Sequence, residues 1–125
     1  MPALVWTCQI LLALAFLAHG LLLLFPPADI AVQLNASLPR WFWLFLGVAE
    51  VLAFVGLTVP PLVRRERWLI AWAAIGIMIV MVSATIFHLA RGEFSSALIT
   101  FVLLLMATLV TRVRLRDYPR VTERR

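Results

Sequence analysis

Glu50 is the residue whose position points most directly to chemistry, because it lies inside an apolar stretch of membrane-spanning length, Trp41–Pro61. It follows Trp41 by nine residues, which corresponds to about 13 Å at the rise of an α-helix. A carboxylate deep in lipid costs roughly 2.5–3.5 kcal/mol even on the most lenient insertion scale. We therefore expect Glu50 to face protein or a pocket of water.

Two histidines and one arginine lie at related depths in other parts of the chain. His19 is roughly 9 Å from the end of the first apolar stretch, and His88 is roughly 3 Å from the end of the third. Arg91 follows His88 by about one helical turn. Such side chains from three helices can bind a polar ligand or move a proton. We predict that His19, Glu50, His88 and Arg91 line one ligand-binding pocket, without assigning a catalytic residue.

Each of these residues also has a purely structural interpretation. Glu50 can hydrogen-bond a neighbouring helix, and His19 can bond a carbonyl or Glu50 without doing chemistry. His88 can anchor its helix at the membrane interface, and Arg91 can belong with Glu93 to a solvated turn. Their spacing selects no metal, so no metal site is predicted.

The composition indicates that lipid surrounds these residues. The chain has 125 residues, of which 64% are hydrophobic, and its mean hydropathy is +1.03. Globular domains are closer to half apolar. All eleven basic residues are arginines clustered at segment ends, a pattern typical of membrane topology and not of nucleic-acid binding. Cys8 is the only cysteine, which excludes an internal disulfide and a paired-cysteine redox motif.

Four apolar stretches predict an all-α integral membrane four-helix bundle, since each is long enough to cross about 30 Å of hydrocarbon. The predicted domain organisation is a transmembrane bundle over residues 1–113 and a basic cytoplasmic tail over residues 114–125. The predicted spans cover residues 4–25, 41–63, 68–90 and 96–113.

The connections between the spans carry their own signals. Pro26–Arg40 is predicted to be a short extended or interfacial segment, with Ser37 as N-cap of the second span. Gly92 can supply the left-handed cap that ends the third span. In the tail, Tyr118-Pro119 is expected to break any helix.

The arginines also predict the orientation. Nine of them lie in the 64–67 hairpin and after residue 111, whereas two lie on the opposite side of the predicted membrane. The positive-inside rule then makes the protein a multi-pass protein of the cell (inner) membrane with both termini cytoplasmic.

Helix periodicity predicts which faces point inward. Gly47 lies on the same face of the second span as Glu50 and permits a close approach of another backbone. Small and hydroxylated side chains form similar stripes on the third and fourth spans: Ile77, Met81, Ala84, Thr85 and His88, and Ser96, Thr100, Leu103, Ala107 and Thr111.

Two stretches of the sequence resemble a known family. LGVAEVLAFVGLTVPP in the second span and IVMVSATIFHLARGEFSSAL around the third are similar to the corresponding helices of the DoxX-like family of small four-helix membrane proteins. The resemblance covers Gly47–Arg114. The first span departs from it, with His19-Gly20 where the family often has a glycine followed by a basic residue.

The resemblance implies a function linked to quinone, because some members belong to quinone-reducing systems or membrane oxidoreductase complexes. We expect a small subunit or accessory of a quinone-linked membrane oxidoreductase system. The sequence identifies no cofactor, and quinone is the candidate that the resemblance implies. The expected partners are the lipid bilayer and other membrane subunits or further copies of itself. The alternative is a non-enzymatic membrane assembly factor or structural subunit. A proton or solute conduit ranks lowest, since the inner half lacks ionisable residues to continue a path.

Overall fold

The computed structural model describes residues 2–64, 66 and 68–122, with side chains described between residues 3 and 116. This part of the chain forms helices and contains no strand. The helices are α1 (Pro2–Leu24), α2 (Ala28–Ser37), α3 (Arg40–Val63), α4 (Trp68–Ala90) and α5 (Phe94–Thr122).

Four of these helices are long and apolar enough to cross a membrane. Their apolar segments are 22 to 24 residues long, which suffices for a bilayer core of about 30 Å. The predicted all-α membrane bundle with four spans is therefore confirmed. The segments are Ala3–Leu24, Arg40–Val63, Trp68–Ala90 and Phe94–Arg116.

The four long helices form a closed ring in the order α1, α3, α4, α5, because each packs against two neighbours and α5 returns to α1. The short α2 packs against α3. One end of the ring is where α1 and α4 finish and where α3 and α5 begin. We term it the α2 end. The opposite end, where α3 finishes and α4 begins, is the hairpin end.

Apolar side chains of medium size fill the centre of the ring. Leu12, Leu57, Ile77, Ala107 and Val110 are each at most 1% exposed. Because lipid is as apolar as these side chains, close packing and interhelical hydrogen bonds hold the helices together more than expulsion from water does. The stability of the bundle therefore depends on where small residues allow close packing and where polar groups on different helices form hydrogen bonds.

The faces predicted to point inward on α4 and α5 do so. Ile77 and Met81 are buried on α4, and Thr111 is buried on α5. The hydroxyls of Thr85 and Thr100 lie 2.8 Å apart across the α4–α5 contact. The hydroxylated stripes thus supply a polar bond between two helices as well as room for packing.

The connection between the first two spans is a helix, so its interpretation as an extended segment is wrong. Backbone groups near lipid have few external partners, and a helix satisfies them internally. The proposed cap is wrong as well, because Pro39 occupies the N-cap of α3. The Ser37 hydroxyl instead donates to the carbonyl oxygen of Leu34 at 2.8 Å.

The fifth helix continues beyond the predicted break at Tyr118-Pro119 and ends at Thr122. Pro119 has no N–H to donate to the Leu115 carbonyl, so the helix loses one backbone bond there but does not stop. Four arginines used for the predicted orientation lie outside the described residues: Arg65, Arg67, Arg124 and Arg125.

Candidate functional site

Helices α1 and α3 approach each other closely at the α2 end, because two glycines face each other there. A Cβ atom on Gly20 would lie 3.0 Å from the carbonyl oxygen of Gly47, and one on Gly47 would lie 2.9 Å from Cγ of Leu24. Neither position has room for an undisturbed methyl group. The prediction that Gly47 permits a close backbone approach one turn from Glu50 is confirmed.

This close approach brings Glu50 of α3 against His19 of α1. Nδ1 of His19 lies 2.7 Å from Oε2 of Glu50, so the imidazole and the carboxyl group share a hydrogen bond. Only 2% of the Glu50 side chain is exposed, whereas 54% of the His19 side chain is exposed. Of the two environments expected for Glu50, the structure shows the protein environment.

Glu50 can orient the imidazole ring of His19, and a proton can pass through that ring. With Nδ1 held by Glu50, Nε2 is the nitrogen of His19 that can meet a ligand. It donates a hydrogen bond when the ring carries two protons and accepts one when the ring is neutral. His19 lies five residues before the end of α1, roughly 8 Å along the helix axis. The exposed imidazole therefore lies within the candidate membrane span Ala3–Leu24.

His88 and Arg91 form a second polar group at the turn between α4 and α5, with Glu93 as their shared partner. Nδ1 of His88 lies 2.6 Å from Oε2 of Glu93, and Nε of Arg91 donates to Oε1 at 2.8 Å. The bond from Arg91, followed by that from His88, holds the pKa of the Glu93 carboxyl below its usual value. Gly92 adopts the predicted left-handed conformation, with φ at 72°, and so closes the turn.

The two polar groups lie at the same end of the ring but on different pairs of helices. Across the described residues, no hydrogen bond or ion pair connects His19 or Glu50 with the group around Glu93. The pairing of His19 with Glu50 is thus a feature of the structure, and a single pocket lined by all four predicted residues stays a prediction. The same part of the chain holds no cluster of three metal-ligating side chains.

Arg40 caps the end of α1, a contact that was not predicted from the sequence. Its Nη1 and Nη2 atoms donate to the carbonyl oxygens of Leu23 and Leu24 at 2.9 and 3.0 Å. The last carbonyls of a helix lack intrahelical donors, so an arginine from the next span satisfies them. The signal was present in the sequence, because Pro26-Pro27 ends α1 without supplying N–H donors.

A second unanticipated network lies at the hairpin end and starts from a proline. Pro61 has no N–H to donate to the carbonyl of Leu57, one turn earlier in α3. Nε2 of Gln9, from α1, donates to that carbonyl oxygen at 2.7 Å. Oε1 of Gln9 accepts bonds from Nε and Nη2 of Arg114 at 3.0 and 2.8 Å. One buried amide therefore joins α1, α3 and α5.

The comparisons with known proteins identify the family of the chain. The model of the DoxX-like family matches residues 7–110. Neither the curated proteins nor the solved structures contain a match to the chain. The matched range extends beyond the resemblance seen in the sequence, because it takes in most of the first span, with His19. It covers more than half of the residues, and the chain therefore belongs to the DoxX-like family.

Proposed function

We propose that the protein is a small subunit or accessory of a quinone-linked membrane oxidoreductase system, in which His19 and Glu50 contact the quinone. One observation carries the proposal. A carboxylate that is 2% exposed holds an imidazole that is 54% exposed, within a helix long and apolar enough to cross a membrane. A quinone-linked role is also what the resemblance to the DoxX-like family implies.

The lipid environment limits which ligands suit this imidazole. A polar nitrogen exposed to hydrocarbon lacks the hydrogen bond that water would provide, which costs free energy. A molecule that relieves this cost must dissolve in the bilayer and carry a hydrogen-bonding atom. A quinone meets both conditions through its apolar body and its carbonyl oxygens, so the chemistry of the pair fits this cofactor.

The two side chains have separate tasks in the proposal. When bound, a quinone supplies two-electron, two-proton chemistry at its carbonyl oxygens. His19 binds and orients a carbonyl through Nε2–H and can give up that proton. Glu50 holds Nδ1, which sets the orientation of the ring and stabilises its doubly protonated, charged form. The electrons come from a partner oxidoreductase, for which reason the protein is proposed as a subunit or accessory.

His88 and Arg91 are proposed to contact the same ligand from the α4–α5 turn, since this turn lies at the same end of the ring as His19. Glu93 holds both side chains through bonds of 2.6 and 2.8 Å, so their positions depend on its carboxylate. A His88→Phe variant tests this part of the proposal separately from the His19–Glu50 pair.

Mild-detergent purification followed by mass spectrometry of bound small molecules tests the function. The wild-type protein should retain quinone, and His19→Phe and Glu50→Gln should lose most of it while remaining folded. The control is Leu21→Phe, which adds bulk at a neighbouring lipid-exposed position of α1 and should keep the quinone. Equal quinone retention by folded wild-type and His19→Phe proteins would contradict the proposal.

The second candidate function is a non-enzymatic membrane assembly factor or structural subunit. It is supported by the glycine contact between α1 and α3 and by the cap that Arg40 places on α1. In this role, the His19–Glu50 bond joins two helices and has no ligand. Co-purification of one stable protein partner without quinone, together with a silent Glu50→Gln variant, would favour it.

We also propose that the protein lies in the cell (inner) membrane with both termini cytoplasmic. The proposal is supported by the nine arginines in the 64–67 hairpin and after residue 111, against two at the α2 end. Reporter fusions after Arg67 and Arg125 should read cytoplasmic, and a fusion near Asn35 should read external. A non-cytoplasmic signal after Arg67 would reverse the orientation.

A further inference from the structure

A cleft of about 210 Å³ lies between α1 and α3 at the hairpin end, far from the His19–Glu50 pair. Ile10 of α1 and Leu62 of α3 line it, and they are 52% and 80% exposed. Both helices are membrane-spanning, so the cleft opens toward lipid. Its volume is below the roughly 300–1,000 Å³ of pockets for drug-sized molecules, so the cleft has room for part of one hydrocarbon chain and not for a drug-sized ligand.

The inner wall of the cleft favours an apolar occupant. Its main polar group is the amide of Gln9, which is 1% exposed. That amide already donates to the carbonyl of Leu57 and accepts from Arg114. No buried side-chain nitrogen or oxygen of the described residues lacks a hydrogen bond. The Thr58 hydroxyl, also in the lining, donates to the carbonyl oxygen of Phe54. The inner wall therefore offers a polar ligand few free partners, whereas an acyl chain needs none.

Positive charge lies beside the cleft. The guanidinium of Arg114 lies over the ring of Trp6, a lining residue, at 4.7 Å from the ring centroid. Arg64 ends α3 two residues after Leu62 and is exposed. A half-exposed tryptophan close to a helix end is typical of the headgroup layer of a membrane. The cleft thus begins at the depth of lipid headgroups, where arginines attract negative charge.

We propose that this cleft binds an anionic phospholipid, with one acyl chain between α1 and α3 and the headgroup phosphate beside the arginines of the hairpin end. The site is independent of the quinone proposal, because the two sites share no residue. Its role is to bind one lipid at a defined position, in contrast to the diffuse attraction of a basic tail to anionic membranes.

Photo-crosslinking in lipid nanodiscs tests the acyl-chain part of the site. The probe is phosphatidylglycerol with a photoreactive group in its acyl chain, and labelled peptides are mapped by mass spectrometry. Labels should concentrate on the peptides around Trp6 and Leu62. Ile10→Trp, which fills the cleft, should abolish them. Leu14→Trp lies one turn further along α1, is 55% exposed in the wild type, and should leave them unchanged. Equal labelling in both variants would overturn the proposal.

The headgroup part is tested with the same photoreactive chain on zwitterionic phosphatidylcholine. The anionic probe should label the cleft about fivefold more strongly, which is the contribution of one arginine near the membrane surface. Arg64→Gln should reduce this preference, and excess inorganic phosphate should not displace the lipid. Equal labelling by the two lipids, displacement by phosphate, or labelling by a photoreactive quinone in place of the phospholipid would each refute an anionic phospholipid site.

Discussion

Gln9 should be energetically coupled to Pro61, although the two side chains do not form a hydrogen bond with each other. Pro61 removes the backbone donor that the Leu57 carbonyl would otherwise have, and the Gln9 amide replaces that donor at 2.7 Å. In a Pro61→Ala variant, the new N–H can bond the Leu57 carbonyl directly. The Gln9 amide should then matter less, and its replacement by leucine should cost less than in the wild type.

The size of the coupling follows from the two bonds that Gln9 makes. Gln9→Leu leaves the Leu57 carbonyl unsatisfied and removes one acceptor of Arg114. Leaving a buried group unsatisfied costs about 1–3 kcal/mol, but interhelical hydrogen bonds in membranes average about 0.6 and reach about 1.7 kcal/mol. We expect about 2 kcal/mol for Gln9→Leu alone and about 1 kcal/mol when it is combined with Pro61→Ala. The difference of about 1 kcal/mol exceeds the usual additivity error of about 0.3–0.5 kcal/mol.

A double-mutant cycle in mixed micelles measures this coupling through the free energy of reversible, denaturant-induced unfolding. Pro60→Ala is the matched control, because Pro60 deprives Gly56, and not Leu57, of a backbone donor. Gln9→Leu should cost the same in the Pro60→Ala variant as in the wild type. If Pro61→Ala and Gln9→Leu are additive within about 0.3 kcal/mol, the explanation of the Gln9 bond as a replacement for the missing donor is wrong.

Two further predictions concern the α2 end. Gly47→Ala should destabilise the bundle by about 1–3 kcal/mol because the added methyl group overlaps α1, whereas Gly76→Ala, with open space around it, should be neutral or stabilising in thermal unfolding. The bonds of Glu93 to Arg91 and His88 lower its folded pKa, so their stabilisation is present above its usual value of 4.5 and is lost as the pH falls through the folded value. The protection of the α4–α5 turn against hydrogen exchange, measured relative to the intrinsic exchange rate at each pH, should therefore fall in acid, and Glu93→Gln should show low protection at every pH.

The membrane-spanning helices were predictable because their signal is local. An apolar run of about 20 residues has few alternatives in lipid, and the prolines and Gly92 mark where the runs stop. The connection at residues 26–40 was harder, since the alternating Ile30, Val32 and Leu34 also suit a strand. The alternating pattern carries no information about backbone hydrogen bonds. Near lipid, the backbone N–H and C=O groups must bond each other, and a helix satisfies this requirement.

The pairing of His19 with Glu50 was within reach of the sequence, because both residues are polar and fall at similar depths in adjacent spans. The unequal exposure of the two side chains could not be predicted, since it depends on the rotation of α1 about its axis. The partner of His88 was also missed. Glu93 was assigned to a solvated turn with Arg91, and the left-handed Gly92 folds that turn so that its carboxylate bonds His88 as well.

Gln9 was missed because an uncharged amide near a helix end carries little signal of its own. Its importance arises from Pro61, which lies in another span and creates an unmet carbonyl one turn earlier. The missing backbone donor can be predicted from the sequence. The side chain that replaces it cannot, since its identity depends on which helices become neighbours. The same applies to Arg40, whose acceptors on α1 are 16 and 17 residues away.

The closed ring has a consequence for biosynthesis. Gln9 and Arg114, which join α1 to α5, are separated by 105 residues of chain. During membrane insertion, α1 and α3 can pair through their glycines as soon as α3 emerges, but the amide of Gln9 has no arginine to bond until α5 has been translated. Until α5 is inserted, α1, α3 and α4 therefore form a three-helix intermediate with an open side, which insertion machinery or a partner helix can still enter.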